Sequence, residues 1–79
     1  MTKRDKLLAK ARANPNGLSF AEFETLLAQC GFVFKRQSGS HRVWLSPGRR
    51  AIPVQSDRGR AKGYQVVQAL RLIEDSHEG

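Results

Sequence analysis

The chain has 79 residues, 39% apolar and 27% charged, with 14 Lys and Arg against seven Asp and Glu for a net charge of +7. A chain this short buries roughly 60% of its unfolded surface, which leaves a thin core and excludes a doubly wound nucleotide fold or a barrel enzyme. It has no apolar run near the ~20 residues of a membrane span and no signal-peptide pattern, and its single cysteine, Cys30, excludes an internal disulfide and a cysteine zinc cluster.

The first predicted element is a short helix over residues 2–13. Thr2 with Asp5 resembles a capping pair, and Leu7, Leu8 and Ala11 recur at helical spacing. Asn14-Pro15-Asn16-Gly17 ends it. With so few apolar residues it reads as an accessory helix laid on the domain.

The next helix has stronger signals. Ser19 is a good N-cap and Glu22 completes a capping box. Leu18 and Phe23 are placed to form a hydrophobic staple across the cap. Phe23, Leu26, Leu27 and Cys30 lie on one face of a helix over Phe20–Cys30, and Gly31 suits the left-handed residue that follows.

The period then changes. Phe32-Val33-Phe34-Lys35-Arg36 predicts a strand, and Gln37-Ser38-Gly39-Ser40 a turn. In His41-Arg42-Val43-Trp44-Leu45, alternation puts Val43 and Leu45 on the face of His41, with Arg42 and Trp44 on the other. Ser46-Pro47-Gly48-Arg49 is a second turn and Arg50–Val54 a third strand. Pro53 cannot donate to a ladder, so that strand lies at an edge or ends early. Gln55–Lys62 reads as a polar connection. Residues 63–75 predict a last helix with Val66, Val67, Leu70 and Ile73 inward, and 76–79 a tail. The expected fold is α+β, a two-layer sandwich of a three-stranded antiparallel sheet in the order α-β-β-β-α plus an extra N-terminal helix. It forms a single domain over 1–79, with its core at 18–75 and with 1–17 as the added helix and breaker. The composition reads as cytoplasmic.

Charge points to a partner. Lys35, Arg36, Arg42, Arg49, Arg50, Arg58, Arg60 and Lys62 face only one acid, Asp57, within that span, while acids and bases balance elsewhere. All the net charge therefore lies in one internal segment, which favours a polyanion partner such as RNA over a solvated basic face kept for solubility. Lys35, Arg36, Arg42, Arg49, Arg50, Arg60 and Lys62 are the candidate phosphate contacts. Gly39 and Ser40 could offer backbone amides to a phosphate, since glycine permits close approach.

RNA cleavage without a metal needs a base for the 2′-OH proton, an acid for the leaving 5′-oxygen and positive charge for the phosphorane. Histidine suits the first two roles, its reference pKa lying near ~6.5, and His41 is the histidine placed for them, although a lone histidine at the start of a strand is on composition alone more often structural. Arg and Lys suit the third. Trp44 and Tyr64 are candidates for stacking on a base or for contact with a protein partner, although an aromatic such as Trp44 on a strand of so small a domain is more often core or interface. His77 reads as a solvated residue of the tail and Cys30 as plain packing. No paired-carboxylate, metal-site or P-loop spacing is present, so no metal or cofactor is expected.

Several pieces occur together in register over Leu18–Glu74: the helix closing in Leu26-Leu27-Ala28-Gln29-Cys30-Gly31-Phe32, then Arg36-Gln37-Ser38-Gly39-Ser40-His41, then Trp44, Pro53 with Val54, and a last helix. In this order the chain resembles the HicA toxins of bacterial type II toxin–antitoxin systems, which are mRNA interferases. Gly59-Arg60-Ala61-Lys62-Gly63-Tyr64-Gln65-Val66 is similar to a subgroup with an N-terminal extension. The resemblance implies a fold like that of double-stranded-RNA-binding domains. It also implies ribonuclease activity dependent on His41, an mRNA substrate, and a HicB-type antitoxin that covers the histidine. Many members carry further histidines just after the catalytic one or after the third strand. Here those places hold Arg42 and Gln55-Ser56, so His41 has no histidine partner nearby. Two other readings fit the same residues: a non-catalytic RNA-binding module, and a basic domain that docks an acidic protein.

Overall fold

A computed structural model describes residues 3–78 of the chain, and the side chains of residues 4–75. Thr2, the expected capping partner of Asp5, lies outside the described residues. Helix α1 spans Lys3–Ala13 and is followed by a single 3₁₀ turn, Pro15–Gly17. Proline suits the first position of such a turn, where its missing N–H has no partner to lose.

Helix α2, Phe20–Gln29, starts as its sequence dictates. Glu22 N–H donates to Ser19 Oγ, and Ser19 N–H donates to the Glu22 carboxylate, both at 3.0 Å. Two orphan donors of the first turn are thus satisfied by one pair of residues. Leu18 and Phe23, on either side of the cap, are both fully buried. Phe23, Leu26 and Leu27 face the core, Cys30 packs at its border, and Gly31 follows with φ 88°.

The sheet has four antiparallel strands in the order β1 Val33–Ser38, β2 His41–Leu45, β3 Ala51–Asp57 and β4 Arg60–Ala61. The expected three-stranded sheet gains a fourth, two-residue strand from within the segment read as a connection. Strand β3 runs on to Asp57, and its turn has positive φ at both Arg58 and Gly59, as a tight type I′ hairpin requires. Strand β4 is steadied from its far side: Ala61 N–H donates to the Leu18 carbonyl at 3.1 Å and Phe20 N–H to the Gly59 carbonyl at 2.9 Å. So short a strand leaves no periodic signal in the sequence.

Pro53 sits inside β3, opposite Val43. The β2–β3 hairpin is closed by Ser46 N–H donating to the Arg50 carbonyl at 2.8 Å. Counting back in alternation makes Val43 and Pro53 a non-hydrogen-bonded pair, with the proline nitrogen aimed at the outer edge of β3. Strand β4 pairs only with Ser56 and Asp57, so that edge is free at Pro53 and no ladder bond is lost.

Helix α3 spans Gly63–Glu78, so its backbone takes in Ser76, His77 and Glu78, residues expected in a tail. Its buried apolar side chains are Val66, Ala69, Leu70 and Ile73, while Val67 is 38% exposed. Ala69 thus takes the place expected for Val67, because the 3.6-residue period turns position 67 outward. The helices cover one face of the sheet, where Trp44, Ile52, Val54 and Ala61 meet them in a single core. Leu8 and Ala11 of α1 belong to that same core. Among the described residues no helix is long and apolar enough to cross a membrane.

Candidate active site and nucleic-acid interface

The other face of the sheet has no helix over it. Cross-strand register arranges its residues in rows: Val33, Leu45 and Ala51, then Arg36, Val43 and Pro53, then Ser38, His41 and Gln55. A bulge at Lys35 resets the alternation of β1 between Phe34 and Arg36, and this brings Arg36 onto the open face. Without it, Arg36 would point toward the helices.

His41 opens β2 immediately after the two-residue loop Gly39-Ser40, and it is exposed. Gly39 has φ 61°, a conformation that glycine enters without strain, and nothing lies within 4 Å of where its Cβ would be. The loop is therefore open to an approaching ligand. Gln37 Nε2 donates to the Gly39 carbonyl at 3.3 Å from within the same hairpin.

Gln55 stands directly opposite His41. Its side-chain amide bridges two elements. Nε2 donates to Ser40 Oγ at 3.1 Å, and Oε1 accepts from Lys62 Nζ at 3.0 Å. Its backbone N–H, on the free edge of β3, donates to Oε1 of the buried Gln65 at 3.0 Å. Gln55 is thereby tied to α3 and to the His41 hairpin at once. Sequence reasoning missed it, because pairing places it in a strand and its polar run reads as a loop.

The eight cations of the basic segment part company. Arg36 lies diagonally across from His41 on the open face. Arg58, Arg60 and Lys62 line a cleft of about 590 Å³ with Asn16, Asp57 and Tyr64. Lys35 is the bulged residue of the exposed β1. Arg49 and Arg50 sit at the β2–β3 turn, beyond the far end of a strand that is itself about 13 Å long, so they do not adjoin His41. Arg42 departs most from expectation. It lies on the helix side, where Nε donates to Glu24 Oε2 and the guanidinium sits 4.5 Å from the centroid of the Phe34 ring. A cation already held by a carboxylate is not free for a phosphate.

The two aromatic candidates also separate. Trp44 is 7% exposed, its Nε1 donates to Glu24 Oε2, and Phe34 meets it edge to face at 5.7 Å. It is a core residue in this structure and offers no face to a base or a partner. Tyr64, at the start of α3, is 66% exposed beside the basic cleft. Burial pushes the Cys30 thiol up from its ordinary value, against the pull of Arg4 and Arg12, which agrees with a packing role. Among the described residues no three His, Cys, Asp or Glu side chains are grouped to share a metal ion.

A family model described as the HicA toxin of bacterial toxin–antitoxin matches residues 20–74, more than two thirds of the chain. The chain belongs to the HicA toxin family. No curated protein and no solved structure matches it. The HicA match runs from the first residue of α2 into α3, and so includes His41, Gln55 and Lys62. Membership makes the chain the toxin of a bacterial toxin–antitoxin pair. Helix α1 and the 3₁₀ turn precede the matched HicA segment.

Proposed function

We propose that this HicA-family toxin is a metal-independent endoribonuclease that binds mRNA on its open sheet face, cleaves it with His41, and is neutralised by a HicB-type antitoxin in the cytoplasm. The observation that carries this reading is the position of His41: exposed at the head of β2, in register with Gln55, with Arg36 diagonal to it and Lys62 joined to its neighbours. RNA laid along this face meets one imidazole and cations on either side of it. We read the fold as a variant of the double-stranded-RNA-binding domain, with β4 as its addition.

In this mechanism the imidazole of His41 takes the proton of a 2′-hydroxyl, and the oxygen so exposed attacks the adjacent phosphorus. Arg36 stabilises the charge that accumulates on the phosphoryl oxygens. Gly39 and Ser40 border the same position, where backbone N–H groups meet a phosphate without side-chain obstruction. Arg60 and Lys35 hold the strand on either side, and Tyr64 stacks on a base at the rim. The antitoxin covers the same face and presents acidic groups opposite Arg36 and Arg60, which speeds encounter.

Cleavage of a defined mRNA by purified protein tests the reading. Wild type shortens the RNA and EDTA leaves the rate in place. His41→Ala folds, since the residue is exposed, and abolishes cleavage. A folded His41→Ala protein that cleaves as fast as wild type would remove the catalytic assignment. Retention of RNA without shortening by wild type would leave a binding module instead.

A further inference from the structure

Ribonuclease chemistry by one histidine leaves a proton unaccounted for. His41 takes one from the 2′-oxygen, and the departing 5′-oxygen must receive another. The face around His41 offers few donors. Arg36 and Arg60 stay protonated through any reaction at neutral pH, because a guanidinium does not release its proton in a protein. Glu24 lies on the opposite face, where it accepts from Arg42 and Trp44. A lysine ammonium differs from both. It is protonated at neutral pH and still yields its proton to an alkoxide.

Lys62 is joined through Gln55 to the residues around His41. Its Nζ donates to Gln55 Oε1 at 3.0 Å, and the other end of the same amide donates to Ser40 Oγ at 3.1 Å, one residue before His41. Gln55 and His41 face each other across β2 and β3 on the open side of the sheet. One amide thus links the lysine to the histidine hairpin. No carboxylate pairs with Lys62 among the described residues, and two of its three N–H groups are left for a ligand.

Resting on the ribonuclease reading above, we propose that Lys62 is the general acid of the reaction and that Gln55 is its positioning residue. The step balances as follows. His41 accepts the 2′-OH proton, the 2′-oxygen forms a bond to phosphorus, the bond from phosphorus to the 5′-oxygen breaks, and Lys62 passes a proton to that oxygen. The products are a 2′,3′-cyclic phosphate and a free 5′-hydroxyl. His41 and Lys62 then return to their starting states by exchanging protons with water.

The experiment compares an ordinary short RNA with one whose scissile 5′-oxygen is replaced by sulfur, a leaving group that departs without a proton. On the ordinary RNA, Lys62→Met lowers kcat by about 100-fold or more, within the range for a lost acid or base, while KM stays nearly unchanged. Lys62→Arg keeps the charge and the reach to Gln55 but cannot release a proton, and falls as far. On the sulfur substrate both variants recover most of the wild-type rate, and His41→Ala does not. Gln55→Met shows a smaller loss with the same recovery. The assignment is overturned if Lys62→Arg retains activity, if the Lys62 variants raise only KM, or if sulfur restores nothing. It is also overturned if Tyr64→Phe, and not Lys62→Met, shows the sulfur recovery, which moves the role to the phenol. A wild type that cleaves neither substrate removes the ribonuclease reading itself, a result distinct from all of these.

Discussion

Trp44 Nε1 donates to Glu24 Oε2 at 3.0 Å, tying the central hairpin to α2 from beneath. The same oxygen accepts from Arg42 Nε. A buried indole N–H needs an acceptor, and one carboxylate oxygen serves both donors. Glu24→Ala removes the acceptor and leaves the indole unpaired in the core, at a cost of about 1–3 kcal/mol. Glu24→Gln keeps an acceptor and loses less. Urea unfolding of the three proteins measures the order, and equal midpoints for Glu24→Ala and wild type would show that water replaces the bond.

The division of the cations sets the salt dependence of RNA binding. Each phosphate contact with a single strand contributes about 0.7 to the slope of log affinity against log salt. Arg36→Ala and Arg60→Ala should each make the slope shallower by roughly that amount. Arg42→Ala should leave it unchanged, because its guanidinium is taken up by Glu24. Arg12→Ala should leave it unchanged too, since Arg12 lies on α1 and faces Glu74 at 3.7 Å. A slope change for Arg42→Ala equal to that for Arg36→Ala would mean that RNA draws Arg42 away from Glu24.

The α2 cap gives stability a pH dependence of known sign. The Glu22 carboxyl is held below the ordinary carboxylate range, first by the Ser19 backbone N–H and then by Lys10, whose Nζ lies 2.9 Å from it. A lowered folded value means that the unfolded chain binds the proton more readily. The contribution is therefore complete above the ordinary carboxylate value and disappears as pH falls through the lower, folded one. Melting temperatures of wild type and Glu22→Gln should differ at pH 7 and converge in strong acid. A difference that stays constant across the titration would locate the effect elsewhere.

Gly63 opens α3 against Asn16 of the 3₁₀ turn. A Cβ on Gly63 would come within 1.9 Å of Asn16 Oδ1, so an alanine there must push the amide aside. Asn16 is exposed and its amide can swing away, so Gly63→Ala should cost less than the ~1 kcal/mol at which core overpacking begins. In an Asn16→Ala background the obstruction is gone and the same change should be neutral or stabilising, since alanine suits a helix better than glycine. Additive effects in this double-mutant cycle would show that the two residues do not meet.

Local features were legible in the sequence, and pairings were not. Ser19 and Glu22 announce the start of α2 because their bonds span three residues. Alternation in His41–Leu45 separates Arg42 and Trp44 from Val43 and Leu45, but with apolar residues on both faces it does not tell which is inward. Glu24, one helix away, decides that. Pro53 signals an edge, and the structure explains how a strand continues past it. Gln55 escapes notice because its role depends on the register of two hairpins and on a lysine seven residues further on. The basic segment reads as one patch, whereas the bulge at Lys35, the pairing of Arg42 and the far position of Arg49 and Arg50 divide it.

Helix α1 has a consequence for where this protein can be cut. The segment that matches the family begins at Phe20, yet Leu8, Ala11 and Leu18 share the core with residues well inside it. The Leu18 carbonyl also anchors β4, and Ser19 caps α2. The packed unit is therefore longer than the stretch by which the chain is recognised. A fragment trimmed to the recognisable part would lay bare a greasy floor beneath α2 and α3, and would be a poor guide to the behaviour of the whole toxin.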